Sequence, residues 1–203
     1  VRDVQRVVAG RAKIRLDANQ GYTSEQGIAF VSAIGPEDIE LFEQPCAAGD
    51  WDAHLAVARA ASVPMMVDES IYDVSDIERA AELGAASYVK VKLMKFVTLA
   101  RLAAAIERIK ALGMRAVLGN GVACDLGCWM EGCVAARMID NAGEMNGFLK
   151  ARSGLLDTPL RFDNGAIVLS PRFAPRLDRE RIAPYRVAAE SFSCSVVAAA
   201  VNR

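Results

Sequence analysis

Six polar residues stand at similar intervals along the chain, and each follows a short apolar run. In order they are Asp17, Glu43, Asp68, Lys92, Asn120 and Glu144. Acids that converge at one place repel one another, and a hard cation such as Mg²⁺, which takes oxygen ligands and leaves positions for water or substrate, relieves that repulsion. The charged form of a lysine is disfavoured beside such an ion, so the lysine can serve as a general acid or base. The residue types therefore predict metal-assisted proton transfer, with Asp17, Glu43 and Asp68 as ligands and Lys92 as the acid or base.

The apolar runs in front of these residues predict strands, and the stretches between them have helical periodicity. The predicted strands are Ala12–Leu16, Ile39–Phe42, Pro64–Val67, Tyr88–Val91 and Ala116–Leu118, with a weak sixth before Glu144. The polar residues recur about every 25 residues, which is the length of a strand, a loop, a helix and a return loop. Alternating strands and helices predict a parallel sheet, and units of similar size favour an α/β fold of the (β/α) TIM-barrel type, with an open sheet as the alternative.

The predicted helices have recognisable ends. Ser75–Glu78 and Thr23–Gln26 are predicted capping boxes, in which a hydroxyl accepts from an early backbone N–H and an acid or amide reaches back. Gly84 stands where a left-handed helix terminator is expected. Further helices are predicted at Trp51–Ala61, Val97–Leu112 and Asp125–Met138, with Asp125 as the capping residue of the last.

Plainer roles stay open for the site candidates. Each acid alone could cap a helix or be a solvated loop charge, and Lys92 could be no more than an ion-pair partner of Asp68. Glu69 points to the opposite face of its strand and becomes the ligand if the register is shifted by one residue. Asn19 lies on the same face as Asp17, where it could touch metal-bound water or substrate.

Two neighbouring features lead to further expectations. Lys90 shares the strand face of Lys92 and is expected deeper in the barrel, while Lys95 is expected in the following loop. The run Gly119–Gly121 has two glycines around Asn120, which allow a ligand to approach the backbone closely. A phosphate site at this run is therefore a competing hypothesis.

Composition excludes several classes of protein. The chain has 203 residues, 53% of them hydrophobic, and a formal net charge of −1, so a basic surface for nucleic acid is not expected. The apolar runs are too short for a bilayer span, and no leader opens the chain, so neither membrane association nor secretion is expected. Five cysteines are interpreted as reduced thiols of a cytoplasmic protein, and the single His54 argues against a Ser-His-Asp triad.

Four motifs in this order resemble the enolase superfamily, in its muconate-lactonizing-enzyme branch. They are Asp17–Tyr22 (DANQGY), Phe42–Pro45 (FEQP), Val67–Ser70 (VDES) and Val91–Lys95 (VKLMK). The resemblance covers roughly residues 1–185, which are expected to form one catalytic barrel domain, and leaves residues 186–203 as a loosely ordered tail. It implies an enolase C-terminal domain-like fold of the mandelate racemase/muconate-lactonizing type.

The resemblance also implies the chemistry. Asp17, Glu43 and Asp68 would bind Mg²⁺, with Mn²⁺ as a substitute, and Lys92 would remove the proton beside the carboxylate of a small acid. The ion would stabilise the resulting enediolate, whose fate decides between racemisation or epimerisation, cycloisomerisation and loss of water. Asn19, Glu69, Lys90, Asn120 and Glu144 are expected to contact substrate or to support the ligands. The full-length parent is expected to form homo-oligomers.

The chain departs from the family pattern in several places. A complete barrel has eight units in about 250 residues, whereas six are predicted here, so the first two strand–helix units are expected to be missing. With them go a capping domain and the family's Lys-x-Lys pair. Glu144-Met-Asn146 stands where dipeptide epimerases have Asp-x-Asp, and no histidine near Asn120 could replace Lys92 as base. The alternative function is an inactive truncated fragment that at most binds metal or needs a completing chain.

Overall fold

A computed structural model gives the structure of residues 1–190. Five parallel strands form one sheet in the order β1-β2-β3-β4-β5. Their bounds are Ile14–Asp17 (β1), Ile39–Glu43 (β2), Met65–Val67 (β3), Tyr88–Val91 (β4) and Arg115–Leu118 (β5). All five of the well-defined predicted strands are therefore present. The weak sixth strand is reduced to one parallel bridge between Gly119 and Glu144.

The helices alternate with the strands, as the spacing predicts. They are Arg2–Val8 (α1), Ser24–Ala33 (α2), Trp51–Ala60 (α3), Val74–Leu83 (α4), Leu93–Phe96 (α5), Leu99–Ala111 (α6), Asp125–Met138 (α7) and Arg179–Ile182 (α8). Two 3₁₀ turns, Gly147–Lys150 and Ala183–Tyr185, and a small antiparallel hairpin of Phe162–Asp163 (β6) and Ala166–Ile167 (β7) complete the described elements. The parallel sheet curls into a half-barrel, which confirms the predicted α/β fold of the TIM-barrel type.

Two helix ends match the sequence expectations. Thr23 and Gln26 form the predicted capping box at the start of α2. Gly84 ends α4 with φ of 64°, the left-handed conformation that glycine adopts without strain.

Two other helix starts differ from expectation. The capping box of α4 is formed by Asp73 and Asp76 rather than by Ser75 and Glu78, because the Asp73 carboxylate accepts from both Ser75 N and Asp76 N. The N-cap of α7 is Cys124 and not Asp125. The buried Asp125 carboxylate accepts the backbone N–H groups of residues 155 and 156, and these hydrogen bonds hold the segment after α7 against the start of the helix.

The core has an outer and an inner part. On the outside, α4 and α6 pack against the sheet through Ile77, Leu102 and Ile106, all fully buried. On the concave face, four strands contribute one layer of side chains: Leu41, Met66, Tyr88 and Val117. Because alternate residues on a strand share a face, the next inward-facing layer toward the C-terminal ends contains the polar site residues.

Of the predicted loose tail, residues 186–190 are described and form neither a helix nor a strand. The remainder of the tail, residues 191–203, lies outside the described part of the chain, and so does Cys194.

The helix start of α4 allows a direct test. Asp73→Ala is expected to lower the free energy of unfolding by about 1 kcal/mol, because two backbone N–H groups lose their acceptor. The matched variant Ser75→Ala removes the hydroxyl that the sequence pattern favours as the cap, and it should cost less than half as much. Urea denaturation of the three proteins measures both values, and a larger loss in Ser75→Ala would contradict the observed cap.

Candidate active site

The strand ends bring the predicted residues to one side of the sheet. Asp17 and Glu43 are the last residues of β1 and β2 and are paired in register. Glu43 is level with Met66 of β3, so Asp68 lies two residues further along and on the same face. A cavity of about 390 Å³ opens here, and its walls include Asp17, Asn19, Asp68, Lys92, Asn120 and Glu144.

Lys90 lies at the floor of this cavity between two carboxylates. Its Nζ is 2.6 Å from Glu43 Oε1 and 2.6 Å from Glu144 Oε2. Glu43 is 2% exposed and Lys90 is 4% exposed, so this ion pair is formed away from bulk water. Arg15 holds the other oxygen of Glu144 through a hydrogen bond of 3.1 Å. The predicted deep position of Lys90 agrees with this geometry.

Asp68 is held by two further lysines. Lys92 Nζ donates to Asp68 Oδ2 at 2.5 Å, and Lys95 Nζ donates to Asp68 Oδ1 at 2.9 Å and to the Asp68 carbonyl at 2.6 Å. The sequence predicts a loop position for Lys95, but this residue belongs to the short helix α5. One helical turn returns it to the side of Lys92, since residues three apart on a helix are neighbours.

The charges in the site shift the protonation equilibria of its members. Burial opposes ionisation of Asp68, but Lys92 and Lys95 outweigh it and hold the pKa of Asp68 below its usual range. Burial raises the pKa of Glu43 above its usual range, and the Lys90 ammonium opposes this rise. Burial also lowers the pKa of Lys95, which the contact with Asp68 offsets in part.

The first strand end is more open to solvent. Asp17 is exposed, and its Oδ1 accepts the backbone N–H of Asn19 at 2.9 Å. Asn19 has a φ of 45°, a left-handed conformation that asparagine tolerates better than most residues. Both side chains are therefore at the cavity mouth, where they can reach a solute.

Glu69 lies apart from the cavity walls. Its Oε2 is buried, without a hydrogen-bond partner among residues 1–190, and burial raises the pKa of this carboxyl group. Asp68, not Glu69, faces the lysines of β4 and α5.

Asn120 is fixed by a residue that the sequence analysis missed. Its Nδ2 donates to Glu131 Oε2 at 2.8 Å, and Glu131 Oε1 accepts the backbone N–H of Leu93 at 2.9 Å. Glu131 is 1% exposed, and burial raises its pKa. An acid within the apolar stretch of α7 was the available signal.

The same geometry argues against the phosphate hypothesis. The space beside Gly119 is taken by Lys90, whose Cε would lie 3.3 Å from a Cβ atom placed on this glycine. The Asn120 amide group faces the Glu131 carboxylate, which would repel a phosphate.

The cavity wall contains a further cation, Lys150, which the sequence pattern did not indicate.

Gln44 supports the main chain at Asp68. It is fully buried, and its Oε1 accepts from Asp68 N at 2.8 Å and from Ser70 N at 3.3 Å. Its Nε2 donates to Ser70 Oγ at 2.8 Å and lies 3.0 Å from His54 Nε2. The chain's single histidine thus belongs to a buried network that positions a site residue.

The donor set can be compared with the needs of a divalent ion. Carboxylate oxygens are the ligands that Mg²⁺ prefers, and a positive charge, the Lys90 ammonium, already lies among them. Within residues 1–190, no three His, Cys, Asp or Glu side chains are grouped closely enough to hold a metal ion. Lysine amines occupy oxygens of Glu43 and Asp68 in this arrangement. The donor chemistry fits a hard cation, provided that these amines give way.

Comparison with known proteins adds the family context. The family model described as "Enolase C-terminal domain-like" matches residues 1–174. The chain belongs to this family. The resemblance of its four motifs to the enolase superfamily is thereby confirmed.

Two curated relatives illustrate the range of this enolase C-terminal domain-like family. The L-Ala-D/L-Glu epimerase of Clostridium acetobutylicum is 29% identical over 181 residues, which cover 83% of this chain and 48% of that protein. Muconate cycloisomerase 1-2 of Acinetobacter lwoffii is 27% identical over 193 residues, which cover 88% of this chain and 48% of that protein. The chain thus spans about half the length of these relatives.

A solved structure shares the fold. The muconate lactonizing enzyme from Pseudomonas putida superposes with a TM-score of 0.83 at 23% identity, covering 90% of this chain and 52% of that one.

Among the described residues of this enolase C-terminal domain-like chain, no helix has the length and apolar character needed to cross a bilayer.

The buried Glu43 leads to a pH prediction for the metal-free chain. Burial raises the pKa of Glu43 above its ordinary value on folding, so the folded state binds the proton more tightly than the unfolded state. The stabilisation this gives is complete below the ordinary pKa of a glutamate and is lost as the pH rises through the higher pKa of the folded state. The parent chain, meaning the present chain without substitutions, should therefore lose free energy of unfolding more steeply as the pH rises between these two pKa values than the Glu43→Gln variant does.

Urea denaturation at several pH values in the presence of a chelator measures this difference. The exposed acid Glu82 of α4 gives a matched control, since Glu82→Gln removes a carboxylate away from the cavity and should keep the pH dependence of the parent chain. Parallel curves for the parent chain and Glu43→Gln would contradict the prediction.

Proposed function

We propose that this chain is the barrel part of an enolase-superfamily enzyme that removes the proton beside the carboxylate of a small acid. The observation that carries the proposal is the position of Lys92, whose amine lies 2.5 Å from the Asp68 carboxylate on the wall of the cavity. The two curated relatives support the reaction class, since one is named an epimerase and the other a cycloisomerase.

Lys92 is the proposed acid or base. Its side chain is 16% exposed, so the amine borders the cavity while its partner Asp68 is almost fully buried. A lysine in such a position can take a proton from a carbon when its ion pair is loosened, and can return a proton to the face from which it was taken. Return to that face gives exchange, whereas inversion needs a second acid on the opposite face of the substrate.

Asp17, Glu43 and Asp68 are the proposed ligands of Mg²⁺, or of Mn²⁺ in its place. When bound, the ion would supply positive charge that stabilises the negative charge that the substrate carboxylate gains when the proton leaves. The three proposed ligands differ in how accessible they are to an ion. Asp17 is open to an ion that enters through the cavity mouth, whereas Glu43 and Asp68 become accessible only after lysine amines move away from them.

Substrate contacts are proposed for the remaining polar wall of the cavity. Asn19, Asn120 and Glu144 offer hydrogen-bond groups, and the Lys150 ammonium could pair with an anionic substrate. Glu144-Met-Asn146 makes a dipeptide less suited than another small carboxylate, since dipeptide epimerases carry two acids there. The proposed outcomes of the reaction are racemisation or epimerisation, cycloisomerisation and dehydration.

The second candidate is a chain that is catalytically inactive by itself. It is favoured by the lysine pairing of Glu43 and Asp68, which leaves no ready metal cluster among residues 1–190. Because the chain spans about half of its relatives, a completing segment or chain could supply what the reaction needs.

Cytoplasmic location and homo-oligomers of the full-length protein are proposed as well. The location is supported by the described cysteines, of which Cys46, Cys124, Cys128 and Cys133 carry free thiols.

Proton exchange at carbon tests the proposal. The longest natural form of the protein, with Mg²⁺, is incubated in D₂O with a panel of small carboxylates, including dipeptides, N-acyl amino acids and muconate, and deuterium at the carbon beside the carboxylate is followed by NMR. Lys92→Gln is expected to lower the exchange rate by about 10²- to 10⁴-fold, the usual contribution of a general base.

The exposed lysine of α6 supplies the control, since Lys110→Gln removes the same charge away from the cavity and should leave exchange unchanged. Exchange that persists in Lys92→Gln would rule out its proposed role. Exchange by the longest natural form but not by the present 203-residue chain would favour the second candidate, and absence of exchange by the longest form with every member of the panel would contradict the proposed reaction.

A further inference from the structure

We propose that the Lys90 ammonium is a built-in cation at the centre of the carboxylate cluster, and that a divalent ion reaches Glu43 only by displacing it. Lys90 would thereby set the affinity of the site for metal. The inference rests on the proposed function, because it assigns to one residue of this chain the control of that metal site.

Carboxylate oxygens lie close to the Lys90 amine. Lys90 Nζ lies 2.6 Å from Glu43 Oε1, 2.6 Å from Glu144 Oε2 and 3.9 Å from Asp68 Oδ2. Glu43 at the end of β2 and the bridge residue Glu144 thus contact one positive charge, and Asp68, just past the end of β3, lies slightly beyond contact distance. Two of these acids, Glu43 and Asp68, are proposed metal ligands.

The surroundings hold the amine in place. Gly119 leaves the space that the Lys90 side chain uses, since a Cβ atom at that position would approach Lys90 Cε to 3.3 Å. Arg15 binds the other oxygen of Glu144 at 3.1 Å, so Lys90 is not the only partner that positions this carboxylate. The ammonium is therefore an ordered part of the site and not a mobile surface charge.

Lys90 is more deeply buried than Lys92 and Lys95, and it pairs with different acids. Lys92 and Lys95 pair with Asp68, with side chains that are 16% and 10% exposed. The Lys90 side chain is 5% exposed and pairs with Glu43, which is 2% exposed. A dication and an ammonium on the same buried carboxylate repel strongly, because little water screens them. When metal enters, Lys90 can keep Glu144 and must give up Glu43.

Calorimetric titration with Mn²⁺ tests the inference. The parent chain, Lys90→Met and the exposed control Lys110→Met are compared at one pH and ionic strength. Lys90→Met keeps the length and apolar character of the side-chain stem and removes its charge. We expect it to bind Mn²⁺ at least about tenfold more tightly than the parent chain, while Lys110→Met binds as the parent does.

A second variant covers the case in which Lys90→Met fails to fold, which circular dichroism would reveal. Lys90→Gln keeps a hydrogen-bond donor for Glu43 without the charge, and it should show the same gain in affinity. In either variant, added Mn²⁺ should raise the melting temperature by more than it does in the parent chain, because the ion replaces the lost positive charge.

The outcomes separate this inference from the proposed function. Equal or weaker Mn²⁺ binding in the Lys90 variants, with binding by the parent that Asp68→Asn abolishes, overturns the inference and leaves the metal site standing. Absence of binding in the parent chain and in every variant overturns both. Tighter binding in the Lys90 variants that Asp68→Asn abolishes in the same background supports both.

Discussion

The buried contact between Lys90 and Glu43 is the interaction on which the rest of the site depends. Parallel strands place their last residues side by side, and in this chain that brings several acids to the concave face of the sheet. Removal of one partner from a buried ion pair leaves an uncompensated charge and costs about 3–5 kcal/mol. The lysines that follow on β4 and α5 therefore allow the acidic rim to form in a folded chain.

The same compensation creates a tension between stability and chemistry. A carboxylate that is held by an ammonium is less available to another cation, and a lysine that is held by a carboxylate is less available as a base. In this site the three acids differ in how far lysines and burial limit their access to another cation. Glu43 is nearly inaccessible, Asp68 shares two amines, and Asp17 is exposed, so the three acids differ in how readily each accepts a new partner.

The strands and their polar ends could be predicted because both signals are local. An apolar run followed by an acid or a lysine is visible at Asp17, Glu43, Asp68 and Lys92, and the recurrence of the unit indicates the parallel fold. The predicted cap of α4 is wrong because Asp73 and Ser75 are both good acceptors, and only the backbone path decides between them. The choice is made by geometry that the residue types do not encode.

The supporting contacts could not be predicted for a different reason. Lys95 reaches Asp68 because four residues form a helix that the periodicity does not reveal. Gln44 and Glu131 act across the fold, over sequence separations that no spacing pattern records. Polar residues of this kind stand out only as exceptions within apolar stretches, and their partners become evident once the elements are packed.

The position of Glu131 has a mechanical consequence. One carboxylate holds both the loop that carries Asn120 and the first residue after Lys92. These two parts come from different strands, yet they are fastened to the same point on α7. The orientation of Asn120 and the backbone next to Lys92 therefore depend on one acceptor group, so loss of the Glu131 carboxylate would disturb two walls of the cavity together.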